Sequence, residues 1–211
     1  MKCDKKSLRL YAVTDRSWLN GETLTCQVEK SLKGGVSCVQ LREKELSYDE
    51  FLSEAFEIKE LCKKYSVPFI INDNVDIALK CKADGIHVGQ SDMLATDVRK
   101  LVGENMILGV SAQTVEQAVL AEKMGADYLG VGAVFSTSTK LDADSVSFDT
   151  LKAICNAVSI PVVAIGGITE ENMTELKGSG ICGVALVSAI YASLDIEDTC
   201  KRLYSKIGEV I

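Results

Sequence analysis

The stretch CVQLREKELSYDEFLSEAFEIKELCKKYSVPFIIN, residues 38–72, contains one full strand–helix–strand unit. It begins with a short apolar run, residues 38–42, and ends with another, residues 69–72. Between the two runs, apolar residues recur at helical spacing from Tyr48 to Lys64. Short and continuously apolar runs are typical of parallel strands that are covered on both faces. The stretch therefore predicts a β-α-β unit with two parallel strands.

The same unit repeats along the whole chain. Eight apolar runs alternate with helix-like stretches, without a linker or a change of composition between them. The runs cover residues 8–14, 38–42, 69–72, 85–89, 107–111, 128–133, 162–166 and 183–187. They predict an α/β fold, a compact single-domain (β/α)8 TIM barrel over residues 1–211. An open doubly wound sheet is the rival fold, but no Gly-x-Gly-x-x-Gly motif follows the first run.

The composition argues against several classes of protein. A net charge of −7 disfavours a nucleic-acid partner, which needs basic surface. No apolar run reaches the ~20 residues of a membrane span, and residues 1–7 are too polar for a signal peptide. Eight cysteines without a Cys-x-x-Cys pair predict buried, reduced thiols rather than a zinc site or disulfides. We therefore expect a cytoplasmic protein with small-molecule partners, no nucleic-acid or membrane partner, and a possible homo-oligomeric state.

Polar residues follow the second apolar run, at the end where barrel enzymes carry their active sites. Gln40, Arg42 and Lys44 are spaced by two residues, which predicts that they share one face toward the barrel mouth. Two adjacent cations are costly to desolvate unless an anion lies between them. The alternative is that they pair with nearby acids such as Glu43 or Glu45. We favour the anion site.

Two aspartates follow the third and fourth runs, which are neighbours in a parallel barrel. Asp73 and Asp92, with no protein cation between them, suit Mg²⁺, which binds one or two carboxylates together with water and phosphate oxygens. Asp73 could instead cap a helix over residues 74–82. His87 is the only histidine and lies within a strand, so we expect it to be packed and hydrogen-bonded rather than an acid or base.

Hydroxyls and glycines indicate a second anion site. Residues 137–140, Thr-Ser-Thr-Lys, open the longest loop, which predicts a phosphate-binding flap over residues 136–145 rather than a plain surface loop. Gly166-Gly167 and Val187-Ser188 follow the seventh and eighth runs, where barrels bind phosphate through backbone amides. One site therefore suits a pyrophosphate and the other a monophosphate. Such a pair of ligands indicates a transferase or lyase that acts on a diphosphate.

These motifs, taken together and in order, resemble those of the thiamine phosphate synthase family. The resemblance covers essentially the whole chain, with one motif at each successive strand. The motifs are Leu10-Tyr11-Ala12-Val13-Thr14-Asp15, Gln40-Leu41-Arg42-Glu43-Lys44, Ile71-Asn72-Asp73, His87-Val88-Gly89-Gln90 with Asp92, Gly109-Val110-Ser111, Thr137-Ser138-Thr139-Lys140, Ile165-Gly166-Gly167-Ile168 and Val187-Ser188.

The resemblance implies a reaction. The family joins 4-amino-2-methyl-5-(hydroxymethyl)pyrimidine diphosphate to 4-methyl-5-(2-hydroxyethyl)thiazole phosphate, and it releases pyrophosphate and thiamine phosphate. It uses Mg²⁺ and a dissociative mechanism. The pyrimidine expels pyrophosphate to leave a stabilised cation, and the thiazole nitrogen captures that cation.

The resemblance also implies roles for individual residues. The residues expected to bind the pyrimidine diphosphate are Gln40, Leu41, Arg42, Glu43, Lys44, Asn72, Ser111 and Lys140. Among these, Arg42, Lys44, Ser111 and Lys140 are the expected catalytic groups. The residues expected to bind the thiazole phosphate are Thr137, Ser138, Thr139, Gly167, Val187 and Ser188. Asp73 and Asp92 would hold Mg²⁺.

Three other functions remain open from the sequence. A thiazole tautomerase shares the barrel and binds thiazole phosphate but forms no carbon–nitrogen bond, and Arg42, Lys44, Asp73, Asp92 and Lys140 argue against it. A phosphosugar isomerase or epimerase would need a base above an acidic C–H bond. A phosphate-binding regulator without turnover belongs to a different class, and nothing in the sequence supports it.

Overall fold

The computed structural model describes residues 3–89, 95–136 and 145–211. Eight parallel strands close into a barrel in chain order, and the last strand pairs with the first through Tyr11 and Ala185. The strands are β1 (Leu10–Val13), β2 (Cys38–Leu41), β3 (Phe69–Asn72), β4 (Gly85–Val88), β5 (Ile107–Ala112), β6 (Tyr128–Val131), β7 (Val162–Ile165) and β8 (Gly183–Leu186). The predicted (β/α)8 barrel is confirmed.

Helices connect the strands on the outside of the barrel. They are α1 (Leu24–Lys33), α2 (Tyr48–Lys64), α3 (Val75–Lys80), α4 (Ala95–Val102), α5 (Val115–Lys123), α6 (Phe148–Ala157), α7 (Ser188–Tyr191) and α8 (Ile196–Ile207). The seventh unit departs from the regular repeat, because only a 3-10 turn, Met173–Leu176, lies between β7 and β8. Gly178 and Gly180 both adopt positive φ in that connection, which keeps it tight and non-helical.

The helix starts follow from local sequence. At the start of α2, the Ser47 side chain accepts from the Glu50 N–H while Glu50 accepts from the Ser47 N–H, which forms a capping box. Thr114 caps α5 in the same way, but the Gln117 side chain accepts from the Gln113 N–H instead of the cap residue. That second capping box is therefore only half formed.

The strand residues alternate between two cores. Val39 and Leu41 pack outward against the helices, whereas Cys38 belongs to the core inside the barrel. Alternation along the same strand turns Gln40 inward, as predicted. The inner core also contains two buried tyrosines, Tyr11 and Tyr128, which are 1% and 0% exposed. These two phenols have polar partners inside the barrel.

The cysteines are unpaired in the structure. All eight cysteines are free, and five of them are buried, although Cys26 is exposed. Burial raises the pKa of the Cys62 thiol to about 12, so this group is not a nucleophile. No helix within the described ranges is long and apolar enough to cross a membrane.

Candidate active site

Arg42 lies just beyond the end of β2 and is held by the end of β1. Its backbone N–H donates to Thr14 Oγ1 at 3.0 Å, and its Nη1 donates to Asp15 Oδ2 at 3.3 Å. The strand ends at Leu41, so Arg42 and Lys44 lie in the loop and not on a strand face. Of the three side chains predicted to share one strand face, only Gln40 lies on the strand, because the strand ends before Arg42 and Lys44.

Lys44 joins the ends of β2 and β3. Its Nζ lies 2.8 Å from Asp73 Oδ2, and the side chains are 53% and 30% exposed. Both cations therefore pair with nearby acids, as the alternative expected, although the partners are Asp15 and Asp73 and not Glu43 or Glu45. The premise that no protein cation lies beside Asp73 is wrong, because the loop after β2 is long enough to bring Lys44 across to the next strand.

Asp73 does not cap α3. Asn74 occupies the cap position, and its side chain accepts from the Ile77 N–H. Asp73 instead adopts a left-handed backbone conformation, with φ of 61°, and its N–H donates to the His87 carbonyl at 2.8 Å. A strained non-glycine residue at the end of a strand is a common feature of functional sites.

A buried acidic pair supports the loop after β2. Arg16 Nε lies 2.9 Å from both Glu43 oxygens, and its Nη2 lies 2.5 Å from Glu54 Oε1. The Glu43 side chain is only 2% exposed. Burial, reinforced by the negative charge of Glu43 and opposed by Arg16, raises the pKa of Glu54 to about 7. The Glu43 carboxylate is therefore held by Arg16 at the start of the loop.

An open cavity of about 850 Å³ lies beside the ends of β2 and β3, where it is bordered by residues of α2, α3 and α4. Its lining includes four of the predicted site residues: Glu43, Lys44, Asn72 and Asp73. Leu41, also a predicted site residue, is different, because its side chain is 0% exposed within the outer core.

A chain of hydrogen bonds crosses the interior of the barrel. Gln40 Nε2 donates to Tyr11 Oη at 2.8 Å, and the hydroxyls of Tyr11 and Tyr128 are 2.7 Å apart. Tyr128 Oη lies 3.0 Å from His87 Nδ1, and His87 Nε2 lies 3.0 Å from Ser111 Oγ. The chain links two predicted site residues, Gln40 and Ser111. His87 is packed and hydrogen-bonded, as expected.

The loops after β7 and β8 occupy the opposite side of the mouth. Gly167 has φ of 64°, and a Cβ there would lie 2.3 Å from the Ser136 carbonyl oxygen, so only glycine fits. Asn172 fixes this loop, since its Nδ2 donates to the Gly167 carbonyl and its Oδ1 accepts from the Thr169 N–H. Val187 and Ser188 stand at the start of the short helix α7, after β8.

Several predicted site residues lie outside the described residues. They are Asp92, Thr137, Ser138, Thr139 and Lys140. In the parts of the chain that the structure describes, no group of three or more His, Cys, Asp or Glu side chains is arranged to hold a metal. Asp73 is the one predicted metal ligand among the described residues.

The family is decided by a match along most of the chain. The family model described as thiamine monophosphate synthase matches residues 10–190, which includes all eight strands. This chain belongs to that family. The motifs that carried the resemblance, from β1 to Val187-Ser188, all fall within the matched range.

Relatives of this synthase family cover almost the whole chain. The chain is 53% identical over 200 residues to the thiamine-phosphate synthase of Clostridium tetani, which covers 95% of this chain and 96% of the relative. It is 51% identical over 203 residues to that of Clostridioides difficile, with 96% and 97% covered. These relatives identify the chain as an enzyme, a transferase of the synthase family.

Solved structures agree with the barrel. The thiamine phosphate pyrophosphorylase of Pyrococcus furiosus has a TM-score of 0.91 and 35% identity, and 98% of each chain is covered. An N-acetylmannosamine-6-phosphate 2-epimerase from Clostridium perfringens has a TM-score of 0.63 but only 20% identity. That second likeness concerns the fold alone.

Sequence reasoning missed five residues that organise the site: Tyr11, Asp15, Arg16, Tyr128 and Asn172. Asp15 and Arg16 directly follow the first strand, so the rule that picked the other strand ends also applied to them. The tyrosines gave no comparable signal, since a tyrosine inside an apolar run predicts ordinary core packing. Asn172 lies in a turn, where its local backbone bonds cannot be read from spacing.

Proposed function

We propose that this chain is a Mg²⁺-dependent thiamine-phosphate synthase that joins the pyrimidine diphosphate to the thiazole phosphate and releases pyrophosphate. The observation that carries the proposal is the Lys44–Asp73 pair, 2.8 Å apart at the ends of neighbouring strands. A cation suited to phosphate and a carboxylate suited to Mg²⁺ are thereby placed together at the mouth. The names of the relatives support the same reaction.

Arg42 and Lys44, joined by Lys140, would bind the diphosphate. Asp15 holds the guanidinium of Arg42 from one side, which leaves its other donors for phosphate oxygens. Gln40, Asn72 and Ser111 surround the same side of the mouth and would orient the pyrimidine. These groups supply positioning and charge for a leaving group, and the dissociative reaction needs no general base.

Asp73 and Asp92 would hold Mg²⁺. The residues present fit this ion, since carboxylate oxygens are the hard donors that Mg²⁺ prefers, and Asp73 already attracts a cation. When bound, the ion would supply positive charge to the departing pyrophosphate. Lys44 would then exchange the Asp73 carboxylate for a diphosphate oxygen.

The thiazole phosphate would bind on the opposite side of the mouth. Backbone amides near Gly167, Val187 and Ser188, together with Thr137, Ser138 and Thr139, offer neutral donors that suit a monophosphate. This arrangement would present the thiazole nitrogen to the pyrimidine cation. We expect small phosphorylated molecules as the only partners of a cytoplasmic enzyme, without a nucleic acid or membrane partner, and a homo-oligomer remains a prediction.

The test is a reaction of the purified protein with both substrates and Mg²⁺, followed by product analysis. We expect thiamine phosphate from the wild type, and a loss of roughly tenfold or more in Lys44→Ala, the equivalent of one charge-assisted hydrogen bond. Lys63→Ala is the matched control, because Lys63 is a 71% exposed lysine on α2 that pairs with Glu60 on the same helix. Absence of product, together with tautomerisation of the thiazole carboxylate phosphate, would instead identify a tautomerase.

A further inference from the structure

The interior hydrogen-bond chain connects two sides of the candidate site through residues that have no role in the proposed reaction. Tyr11 and Tyr128 are fully buried, and burial raises the pKa of both phenols well above the ordinary value. Both therefore remain protonated hydroxyls at neutral pH. Each has one hydrogen to donate, and a chain whose bonds all run in the same direction uses both hydrogens within it.

The direction follows from the Gln40 end. The amide nitrogen of Gln40 faces Tyr11 Oη and can only donate. Tyr11 accepts this bond, and in a chain of one direction its own hydrogen goes to Tyr128 Oη, 2.7 Å away. Tyr128 in turn donates its hydrogen to the next partner in the chain, His87 Nδ1, which lies 3.0 Å from its hydroxyl.

The direction sets the state of the histidine. A ring that accepts at Nδ1 is neutral and carries its hydrogen on Nε2. The Nε2–H group then donates to Ser111 Oγ at 3.0 Å. Since Ser111 accepts from His87, the hydrogen of its own hydroxyl is donated to a different acceptor.

Two glycines leave space for the rings of this hydrogen-bond chain. A Cβ on Gly109 would lie 2.2 Å from Tyr128 Cζ and 2.5 Å from His87 Nδ1. A Cβ on Gly130 would lie 3.0 Å from His87 Cε1. The absence of side chains at these two positions leaves space for the contact between Tyr128 and His87. An alanine at Gly109 would occupy that space.

We propose that Tyr11 and Tyr128 are positioning residues that hold His87 as the neutral Nε2–H tautomer and thereby orient the Ser111 hydroxyl as a donor. In the substrate complex, we expect its acceptor to be an oxygen of the diphosphate. The kinetic part of this inference rests on the proposed function. The tautomer itself does not depend on the reaction.

The single histidine makes the tautomer directly measurable. Protein labelled with ¹⁵N-histidine gives signals from His87 alone, and the shifts of a neutral ring distinguish a protonated nitrogen from a bare one. We expect Nε2–H in the wild type. An Nδ1–H ring would overturn the proposal, and this spectrum decides the question even if a variant fails to fold or if the wild type proves to lack synthase activity.

Tyr128→Phe tests the positioning role. We expect it to lose the Nε2–H preference and to lower kcat roughly tenfold with little change in KM, as for one ordinary hydrogen bond. Tyr191→Phe is the matched control, because Tyr191 is also 0% exposed but lies in the outer core. A changed tautomer with unchanged kcat, or a lowered kcat with an unchanged tautomer, would each overturn the proposal. Equal kcat values in the two variants would do the same.

Discussion

Lys44 Nζ lies 2.8 Å from Asp73 Oδ2, and this pair ties the loop after β2 to the end of β3. Both groups remain partly exposed at the mouth of the barrel, so the pair contributes little to stability, about 1 kcal/mol or less. Its role is to place a cation that would bind phosphate beside a carboxylate that would bind Mg²⁺, before phosphate or Mg²⁺ is bound.

Asp73→Asn is expected to affect metal use more than stability. The amide is a poorer ligand for Mg²⁺, so turnover should fall and more Mg²⁺ should be needed for half-maximal rate. Asp92→Asn should behave in the same way. Titration of the rate with Mg²⁺ and chemical unfolding measure the two effects. Asp97→Asn is the control, since Asp97 is exposed on α4 and pairs with Lys100. An unchanged Mg²⁺ requirement in Asp73→Asn would refute the assignment of Asp73 as a Mg²⁺ ligand.

The Glu54 carboxyl is expected to make stability depend on pH. Its folded pKa of about 7 is higher than the ordinary value of 4.5, so the folded state binds the proton more tightly than the unfolded chain does. The free energy of unfolding should therefore fall as pH rises from about 4.5 to about 7 and stay level above it. The difference between the wild type and Glu54→Gln, measured by urea unfolding across this range, isolates the effect. A difference that does not vary with pH would contradict the prediction.

Removal of the Arg16 cation should be costly. Arg16→Met leaves Glu43 and Glu54 buried without their positive partner, a loss of about 3 kcal/mol in unfolding free energy. Adding Glu54→Gln should recover part of that loss at a pH well above 7, where Glu54 is ionised, because one of the two negative charges is then gone. Unfolding of the single and double variants measures the coupling. Strictly additive changes would show that the three groups do not form a unit.

Gly109→Ala should disrupt the barrel interior. The new methyl group would overlap Tyr128 and His87, and neither ring can move far inside a packed barrel. We expect a loss of about 3 kcal/mol, toward the upper end for overpacked cores. Gly103→Ala is the comparison, because nothing lies within 4 Å of the Cβ that alanine would add there. Only the backbone strain of φ at 68° then lowers the unfolding free energy, by about 1 kcal/mol. If thermal unfolding showed the same loss of unfolding free energy in both variants, the barrel interior at Gly109 would have space for a methyl group.

The fold could be predicted because its signal is periodic and repeated. All eight strands were placed correctly, although most were predicted one or two residues too long. The excess lies mainly at the carboxyl ends of the strands, where the predicted runs include the first residues of the following loop, as at Arg42 after β2 and at 132–133 after β6. Helix α2 was predicted without error, since its apolar stripe and its capping box agree.

The site was predicted less completely, for a physical reason. Strand ends identify which residues reach the mouth, and this rule found Arg42, Lys44 and Asp73. It does not identify pairs, because pairing depends on loop paths that bring residues from different strands together. The Arg16 contacts to Glu43 and Glu54 join residues up to 38 positions apart. The Tyr11–Tyr128 bond joins residues 117 positions apart, and no local pattern records it.

The central claim is that this barrel couples loss of pyrophosphate to formation of thiamine phosphate. The most direct measurement follows both products from the wild-type protein with the pyrimidine diphosphate, the thiazole phosphate and Mg²⁺, and repeats the reaction with a chelator. The account predicts equal amounts of the two products with Mg²⁺ and neither with the chelator. Pyrophosphate release without thiamine phosphate, or no turnover of either substrate in the presence of Mg²⁺, would contradict it.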